Sequence, residues 1–419
     1  MYNRCPHKDK RFEWKVDIPS KTIEENKILN DNLNLTIALI SDVHIDPLYD
    51  PSSTSSCNEP ACCRSSSTKY DLNNDIHKSK VFYKSRQRQF VSRFSNISKS
   101  NNQFKITKSY TNQPGYWGGN IKCDTPIWAY EDAVQTIASH KDLDVVYYMG
   151  DNINHFVWET TFAPPSIQDE GLNTTWLYTS LAEQWRPYLT DEAFITMRKD
   201  GQYSMLIKPG LRVISLNKNR HLEWLIKELH KAELAGEKVH ILSHIPPGSA
   251  FLLYTWTREY KRVIDRFSST ITAQFTGHTH LDDMKLFLRG TQEEPFSMAW
   301  GAGSVTNFGS GSNRNYKIVT FDETSKPKNI DCYTYNLTEA NLTPNKRPRW
   351  YRLYNMKDTY QITNLSPNSI NNLTYSMVTT NKPMLDLYTV LLTKASDVSP
   401  YCDVNCKLEV RCPQWLQRI

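Results

Sequence analysis

Six acids and histidines stand directly after short apolar runs of this chain, in an order that suits metal binding. Asp42 and His44 follow the run "LTIALI", and Asp151 follows "LDVVYYMG". A further histidine follows "KVHILS", and two more lie in "GHTH" after "TAQFT". Each piece alone is a weak signal, but the ordered set DxH, GD, H and GHxH predicts a metal site. The candidate ligands are Asp42, His44, Asp151, His244, His278 and His280.

The chemistry of these side chains points to a pair of catalytic metals. Carboxylate and imidazole groups suit zinc, iron or manganese. A single structural zinc needs four closed ligands and usually includes cysteine, whereas this set is larger and contains none. An aspartate between two cations can bridge them at ~3.5–4 Å, and such a pair lowers the pKa of a bound water. The set therefore favours a two-metal site that activates water.

The elements that carry these residues alternate between strand and helix, which predicts an α/β layered fold. Residues two apart on a strand share a face, so Asp42 with His44 and His278 with His280 are each expected to aim at one point. Further strands are predicted in "FSMAWGAG", "NYKIVTFD" and "CYTYNL", followed by a mostly helical region from about 338 to 419. The earlier strands are predicted in 35–40, 143–151, 210–217, 238–248 and 272–280, and the helices in 126–141, 176–189 and 221–236.

Length and charge bound the organisation of the chain. Its 419 residues, 39% of them hydrophobic, are enough for one large domain with an appendage. The net charge of +6 is uneven, because a basic insertion lies at about 64–112. Such a run can contact phosphate or an acidic membrane surface, but its lack of apolar periodicity favours a solvated surface insertion.

Cysteines and glycosylation motifs indicate the compartment. The 9 cysteines are partly clustered without paired zinc spacing, which favours disulfides. Clustered cysteines and several glycosylation motifs favour a secretory route, so we expect a secreted or lysosomal protein. The start "MYNRCPHKDK" has no apolar core, so the leader is expected to be missing from this sequence. The sequence contains no run of 18 apolar residues, so no membrane-spanning helix is predicted. Asn-x-Ser/Thr motifs stand at Asn34, Asn96, Asn173, Asn336, Asn341, Asn364 and Asn372.

The motif order resembles the calcineurin-like metallophosphoesterases, and its wider context is similar to the acid sphingomyelinase family. That context is "SDVHIDPLYD", "CNEPACC", "GYWGGNIKCDTP", "SHIPPG" and "AQFTGHTHLDD", and the similarity runs from about 35 to 412. The resemblance implies a four-layer αββα sandwich with a C-terminal helical subdomain. It also implies two Zn²⁺ ions that activate a water, which cleaves sphingomyelin to ceramide and phosphocholine at a membrane surface. We expect a monomer and no nucleic-acid partner.

The resemblance also assigns roles to individual residues. Asp42, His44, Asp151 and His280 would hold one zinc, and Asp151, His244 and His278 the other. His155 matches a histidine at the substrate phosphate and is the candidate catalytic residue. Residues 1–34 would be a remnant of a saposin-like domain with its linker, 35–335 the catalytic domain, and 336–419 the helical subdomain. The implied disulfides are Cys57–Cys62, Cys63–Cys123 and Cys402–Cys406.

One family motif is missing. Relatives carry Gly-Asn-His-Glu after the Gly-Asp motif, and its asparagine ligates the second zinc, but "GDNINHFVWETTFAPPSIQDEG" contains no such sequence. Three protein ligands plus water can still hold a catalytic zinc, and His155 is a candidate replacement for the lost general acid. Two alternatives follow from the gap. The chain could be an impaired or inactive relative, or a phosphodiesterase acting on small or nucleotide-like diesters.

Overall fold

The computed structural model describes residues 14–21, 35–67, 113–119, 121–156, 175–217, 222–249, 251–290, 293–398 and 416–418. The described strands form two sheets. The five-stranded sheet has the order β11-β10-β9-β1-β2, and the seven-stranded sheet has the order β12-β7-β8-β6-β5-β4-β3. Their bounds are β1 (Thr36–Ile40), β2 (Val145–Tyr148), β3 (Tyr203–Lys208), β4 (Leu211–Leu216), β5 (Lys238–Ser243), β6 (Ile271–Thr276), β7 (Met284–Arg289), β8 (Glu294–Gly301), β9 (Asn315–Phe321), β10 (Pro327–Thr334), β11 (Tyr351–Asn355) and β12 (Leu416–Arg418).

Helices pack on the outer faces of both sheets and against the core between them. Those of the described residues are α1 (Ile127–Ala138), α2 (Thr175–Trp185), α3 (Asp191–Asp200), α4 (Leu222–Leu234), α5 (Tyr254–Arg266), α6 (Leu337–Leu342), α7 (Met356–Tyr360), α8 (Pro367–Thr379) and α9 (Lys382–Leu392). None of these helices combines the length and apolar character needed to cross a bilayer.

Strand β1 shows why the chain forms four layers. Its side chains alternate between two apolar environments, as the period of two in a strand requires. Ile37 and Leu39 are buried in the core between the two sheets. Ala38 and Ile40 point the other way and pack in the cluster that includes Ile137 of α1. The strand is therefore apolar on both faces, as its unbroken apolar run predicted.

The second sheet repeats this arrangement. Leu242 of β5 lies in the core between the sheets, while Ile241 faces the opposite cluster. That outer cluster includes Leu225 of α4 and Val263 of α5. The layers are therefore helix, sheet, sheet and helix, and the predicted αββα sandwich is confirmed.

The C-terminal region shares the sheets and the core with the rest of the chain. Strand β11 pairs antiparallel with β10, and β12 pairs parallel with β7. Helices α8 and α9 place Ile370 and Leu385 in the cluster between the sheets. These two strands were not expected in a region predicted as mostly helical. The division at 335/336 stays a prediction, and the region beyond it is part of the same sandwich.

Two of the three predicted disulfides are confirmed. Cys57 and Cys62 are joined with their Cα atoms 5.9 Å apart, and Cys63 and Cys123 with theirs 5.5 Å apart. The second bridge ties the segment after β1 to the start of α1. The predicted Cys402–Cys406 pair lies outside the described residues, as does the basic insertion beyond residue 67. Among the described cysteines, Cys332 is a buried free thiol.

A buried histidine between the sheets should make the fold sensitive to acid. Both ring nitrogens of His240 are bonded, one to the Tyr147 hydroxyl at 2.9 Å and the other to the Ser325 carbonyl at 2.8 Å. Burial lowers the pKa of His240 from 6.5 to about 4. Between these two values the unfolded chain binds a proton that the folded chain does not, so stability present above pH 6.5 is lost as the pH falls toward 4.

We predict that His240→Gln weakens this acid sensitivity. At about 1.4 kcal/mol for each unit between the two pKa values, His240 makes the free energy of unfolding fall by about 3 kcal/mol from pH 7 to pH 4. The glutamine variant has no proton to bind and should lose most of that pH-dependent fall. Urea unfolding of both proteins at the two pH values measures it. Identical pH slopes would contradict the prediction.

Candidate metal centre

The predicted ligands follow four strands whose carboxyl ends meet at one edge of the sandwich. Strands β1 and β2 are parallel neighbours in one sheet, and β5 and β6 are parallel neighbours in the other. Asp42 and His44 follow β1, and Asp151 follows β2. The loop after β5 carries His244, and the loop after β6 carries His278 and His280. Ligand sites at the carboxyl ends of parallel strands are the general rule in α/β sheets.

A left-handed backbone aims most of these side chains. Positive φ angles occur at Asp42 (50°), His44 (39°), Asp151 (61°), His278 (72°) and His280 (56°). Such angles are uncommon for residues other than glycine, and they concentrate at functional sites where the surrounding structure holds them. All predicted ligands except His244 are in this conformation. The strands end before these residues, so the turn after each strand, not alternation along it, directs the side chains inward.

The structure brings the six predicted ligands together. In one group, ligand atoms of Asp42, His44 and Asp151 all lie within 4.8 Å of one another. A second group with the same spacing contains Asp151, His244 and His278. The Nε2 atom of His280 is 3.3 Å from Oδ1 of Asp42, which adds this histidine to the first group. Asp151 belongs to both groups, as expected for a carboxylate that bridges two metals.

Backbone carbonyls fix which nitrogen of three imidazoles faces the centre. His44 Nδ1 is 2.7 Å from the carbonyl of Ile153, His280 Nδ1 is 2.8 Å from that of Phe308, and His244 Nδ1 is 3.1 Å from that of Met149. A carbonyl only accepts, so each Nδ1 carries a proton and each Nε2 faces the centre, where it can offer a lone pair to a metal. This outer bond to a carbonyl is the usual arrangement for metal-binding histidine.

Two contacts then require a cation. His280 Nε2 and His44 Nε2 are 3.2 Å apart, so two lone pairs face each other unless a positive charge lies between them. Burial lowers the pKa of His44 to about 4, which keeps that ring in its neutral, ligating form. His244 Nε2 lies 2.9 Å from an Asp151 oxygen, and here too a proton or a metal must mediate. The described residues therefore fit a divalent metal ion.

The electrostatics of Asp151 agree with this conclusion. Burial opposes its charge, but the hydrogen bond from His244 and the charges of nearby histidines outweigh burial and lower the pKa of Asp151. Burial also opposes a charge on His244, yet the bond to Asp151 raises the pKa of that ring. A carboxylate that stays ionised attracts positive charge, and a metal can take the place of the proton on His244.

Gly277 of the "GHTH" motif leaves room for the Asp42 carboxylate. A Cβ atom at position 277 would lie 2.6 Å from an Asp42 oxygen and 2.2 Å from the Ser41 hydroxyl. Asp42 is itself held by the backbone N–H of His278, at 2.9 Å, and by the Ser41 hydroxyl. Glycine is therefore required at position 277 because the Asp42 and Ser41 side chains lie too close for a Cβ atom. The φ angle of Gly277 is not left-handed, so it is not the reason for the glycine.

His155 lies beside the first group and is oriented by a residue that sequence analysis missed. Its Nδ1 is 2.6 Å from Oδ1 of Asp124, which is fully buried, and its backbone N–H donates to the other oxygen at 2.7 Å. The ring is stacked between His44, at 4.0 Å, and Phe308, at 3.8 Å. Asp124 stands next to Cys123 in the sequence, and no local signal distinguishes it from a surface acid.

The loop that carries His280 is supported by a buried lysine from far along the chain. Lys394 is fully buried, and its ammonium donates to the main-chain carbonyl of His280 at 2.7 Å. Two residues after His280, the Asp282 carboxylate contacts the Lys317 ammonium at 2.5 Å and accepts from the Tyr354 hydroxyl at 2.7 Å. These bonds fasten the metal-binding loop to the C-terminal region.

The part of the chain where the missing motif would lie is outside the described residues, which resume at 175. The two asparagines near Asp151 serve structural roles. Asn154 accepts the backbone N–H of Phe156 at 3.1 Å, and Asn152 accepts from the Tyr148 hydroxyl.

Fold and site together define an α/β sandwich with a candidate two-metal centre. The family model described as "Acid sphingomyelin phosphodiesterase C-terminal region" matches residues 306–416. Cyclic GMP-AMP phosphodiesterase SMPDL3A of Homo sapiens is 30% identical, over 68% of this chain and 68% of that protein. The chain belongs to the acid sphingomyelin phosphodiesterase family.

Two sphingomyelin phosphodiesterases extend the comparison. Sphingomyelin phosphodiesterase 1 of Caenorhabditis elegans is 28% identical over 97% of this chain and 74% of its own length. Sphingomyelin phosphodiesterase of Homo sapiens is 32% identical over 72% of this chain. The chain spans 56% of the length of that human relative.

Proposed function

We propose that this chain is a metal-dependent phosphodiesterase that hydrolyses sphingomyelin to ceramide and phosphocholine. The observation that carries the proposal is the set of six candidate ligands in two groups that share Asp151, with His155 beside them. The names of the relatives support the choice of substrate. Zinc is the proposed metal, because a mixed imidazole and carboxylate set suits it.

In this proposal, each side chain has a defined task. Asp42, His44, Asp151 and His280 would hold one ion, and Asp151, His244 and His278 would hold the other. When bound, the ions supply an activated water and charge stabilisation at phosphorus. Asp124 holds Nδ1 of His155, as the 2.6 Å contact supports, so that the ring can deliver a proton to the departing ceramide oxygen. Phe308 and His44 fix the plane of that ring by stacking.

The test combines metal content with turnover. Purified full-length chain should carry close to two zinc ions and release phosphocholine from sphingomyelin in detergent at acidic pH. A chelator should abolish release, and added zinc should restore it. A folded protein that binds no zinc would overturn the proposal. Turnover of a cyclic dinucleotide without turnover of sphingomyelin would replace the substrate and keep the reaction class.

We further propose that the protein acts as a monomer at a membrane surface, without nucleic acid, after secretion or delivery to lysosomes. Paired disulfides support an oxidising compartment.

The glycosylation motifs differ in how exposed their asparagine side chains are. Asn364 and Asn372 are exposed, whereas the Asn341 amide donates to the Gly118 carbonyl at 2.9 Å and accepts from the backbone N–H of Trp117 at 2.8 Å.

We therefore predict glycans on Asn364 and Asn372 and none on Asn341. In protein secreted from eukaryotic cells, Asn364→Gln and Asn372→Gln should each lower the mass by one glycan, as read by intact mass before and after enzymatic deglycosylation. Asn341→Gln should leave the glycan count unchanged. A glycan on Asn341 would be incompatible with the bonds it makes. Asn336 caps α6 through its side chain, and the motifs at Asn34, Asn96 and Asn173 lie outside the described residues.

A further inference from the structure

Three large apolar side chains project into solvent where the loop after β5 enters α5. Phe251, Leu253 and Tyr254 are 73%, 73% and 78% exposed, and we call them the apolar tip. Single exposed apolar residues are ordinary, but large exposed groups that adjoin one another mark interaction surfaces. The apolar tip gains little from folding in water, since nothing among the described residues covers it.

The apolar tip stands at the rim of the metal centre. Phe251 packs edge-on against the His278 ring, with their centroids 4.7 Å apart. The loop that carries the tip begins directly after β5, where His244 is located. A surface that contacts the tip is therefore within one side-chain length of a proposed metal ligand.

The backbone of the tip is suited to an apolar environment. Leu252 N–H donates to the Ser249 carbonyl at 3.0 Å, and Phe251 N–H donates to the Ser249 hydroxyl at 3.3 Å. The Leu253 carbonyl accepts from the N–H of Thr257 in the first turn of α5, at 3.1 Å. Unpaired backbone groups are costly in lipid, and these three bonds reduce that cost for a shallow insertion.

Charges next to the tip complement acidic lipid headgroups. Arg258 and Arg262, one and two turns along α5, both pair with Glu259, which is fully buried. The two guanidinium side chains share this carboxylate and are 32% and 45% exposed, so both basic groups reach the outer surface of the helix. Arg258 also donates to the carbonyl of Trp14 at 2.5 Å, and that tryptophan is 41% exposed. Tryptophan and tyrosine beside basic residues are typical of membrane interfaces.

We propose that the apolar tip inserts into the surface of a lipid bilayer and holds the metal centre against it. The proposal rests on the proposed function for its biological purpose, since a lipid phosphodiester must be reached at a membrane. It commits to lipid over a protein partner because the tip is a short projecting turn rather than a groove, and because Arg258 and Arg262 lie on the helix that begins at the tip.

The test compares two double variants of the full chain. Leu253→Ser/Tyr254→Ser removes apolar surface and leaves Phe251 in place. Leu253 precedes α5 as its N-cap without a side-chain bond, and serine is a favoured residue there, so folding should not suffer. The matched control is Ile195→Ser/Tyr375→Ser, which removes two other side chains of similar exposure, 63% and 61%, from α3 and α8.

Binding is measured by flotation with vesicles of phosphatidylcholine and phosphatidylserine that contain no sphingomyelin. The tip variant should bind roughly tenfold more weakly than the wild type, because two apolar side chains no longer enter the bilayer. The control should bind like the wild type, and added salt should weaken binding by the wild type. Equal binding by the tip variant, or wild-type self-association through the tip in place of vesicle binding, would overturn the inference.

Activity separates this inference from the proposed function. With sphingomyelin in the same vesicles, the tip variant should lose turnover, and with a water-soluble chromogenic diester it should match the wild type. If the wild type hydrolyses neither substrate but vesicle binding still depends on the tip, the proposed function is wrong and the proposed membrane insertion of the tip is retained. If the variant hydrolyses both substrates as fast as the wild type, the proposed membrane insertion of the tip is wrong and the proposed phosphodiesterase function is retained.

Discussion

Asp151→Asn is expected to abolish both metal retention and catalysis while leaving the protein folded. Asp151 is the carboxylate that belongs to both ligand groups, and its oxygen lies 2.9 Å from His244 and 3.4 Å from His44. An amide has the same shape but no charge, so it can neither bridge two cations nor hold them by charge. We expect fewer than one zinc per chain and a fall in turnover of about a thousandfold or more.

The measurement pairs zinc content by mass spectrometry of metals with phosphodiesterase rates. Asp142→Asn is the matched control, because it makes the same chemical change at an exposed position in the turn before β2. Far-ultraviolet circular dichroism verifies that both variants are folded. Two tightly held zinc ions in Asp151→Asn would show that Asp151 is not the bridge, and the assignment of both ligand groups would then be wrong.

The ligand residues were predictable from sequence, but the way in which they are aimed was not. Each follows an apolar run long enough to be a buried strand, and parallel strands that end at one edge must gather whatever follows them. Asp42 and His44 do point to one site, as predicted, but not because they share the face of a strand. Strand β1 ends at Ile40, and both residues adopt left-handed φ angles that the strand pattern did not predict.

Long-range support of the site was beyond the sequence for a physical reason. Asp124 contacts a residue 31 positions away, and Lys394 contacts one 114 positions away. A buried carboxylate and a buried ammonium look like solvated charges until tertiary structure shows their partners. The strands β3 and β7 were also missed: in "YSMLIK" and "MKLFLR" a serine or a lysine interrupts the apolar residues.

His155→Ala is expected to slow the release of a poor leaving group and to spare a good one. If His155 protonates the ceramide oxygen, sphingomyelin turnover should fall ~10²–10⁴-fold. A nitrophenyl diester needs no proton on its leaving oxygen, so its hydrolysis should change little. The comparison of the two rates on one preparation isolates proton delivery from every other effect of the mutation.

A positioning role for Asp124 is tested alongside. Asn at this position can still accept at one oxygen, but it does not stabilise a charged imidazole ring. The rate of sphingomyelin turnover by Asp124→Asn should therefore lie between those of the wild type and His155→Ala. A general loss of stability would instead lower the rates on both substrates together.

The same variants decide between a proton donor and a metal ligand at His155. Its ring is stacked on His44 and shares a possible ligand group with His44 and His280, so geometry alone permits either role. A donor can be removed without loss of metal, whereas removal of a ligand lowers zinc content and slows both substrates equally. Full zinc content with selective loss of sphingomyelin turnover would show that His155 is the proton donor and not a metal ligand. Zinc loss would instead make it a substitute for the ligand that the missing motif normally provides.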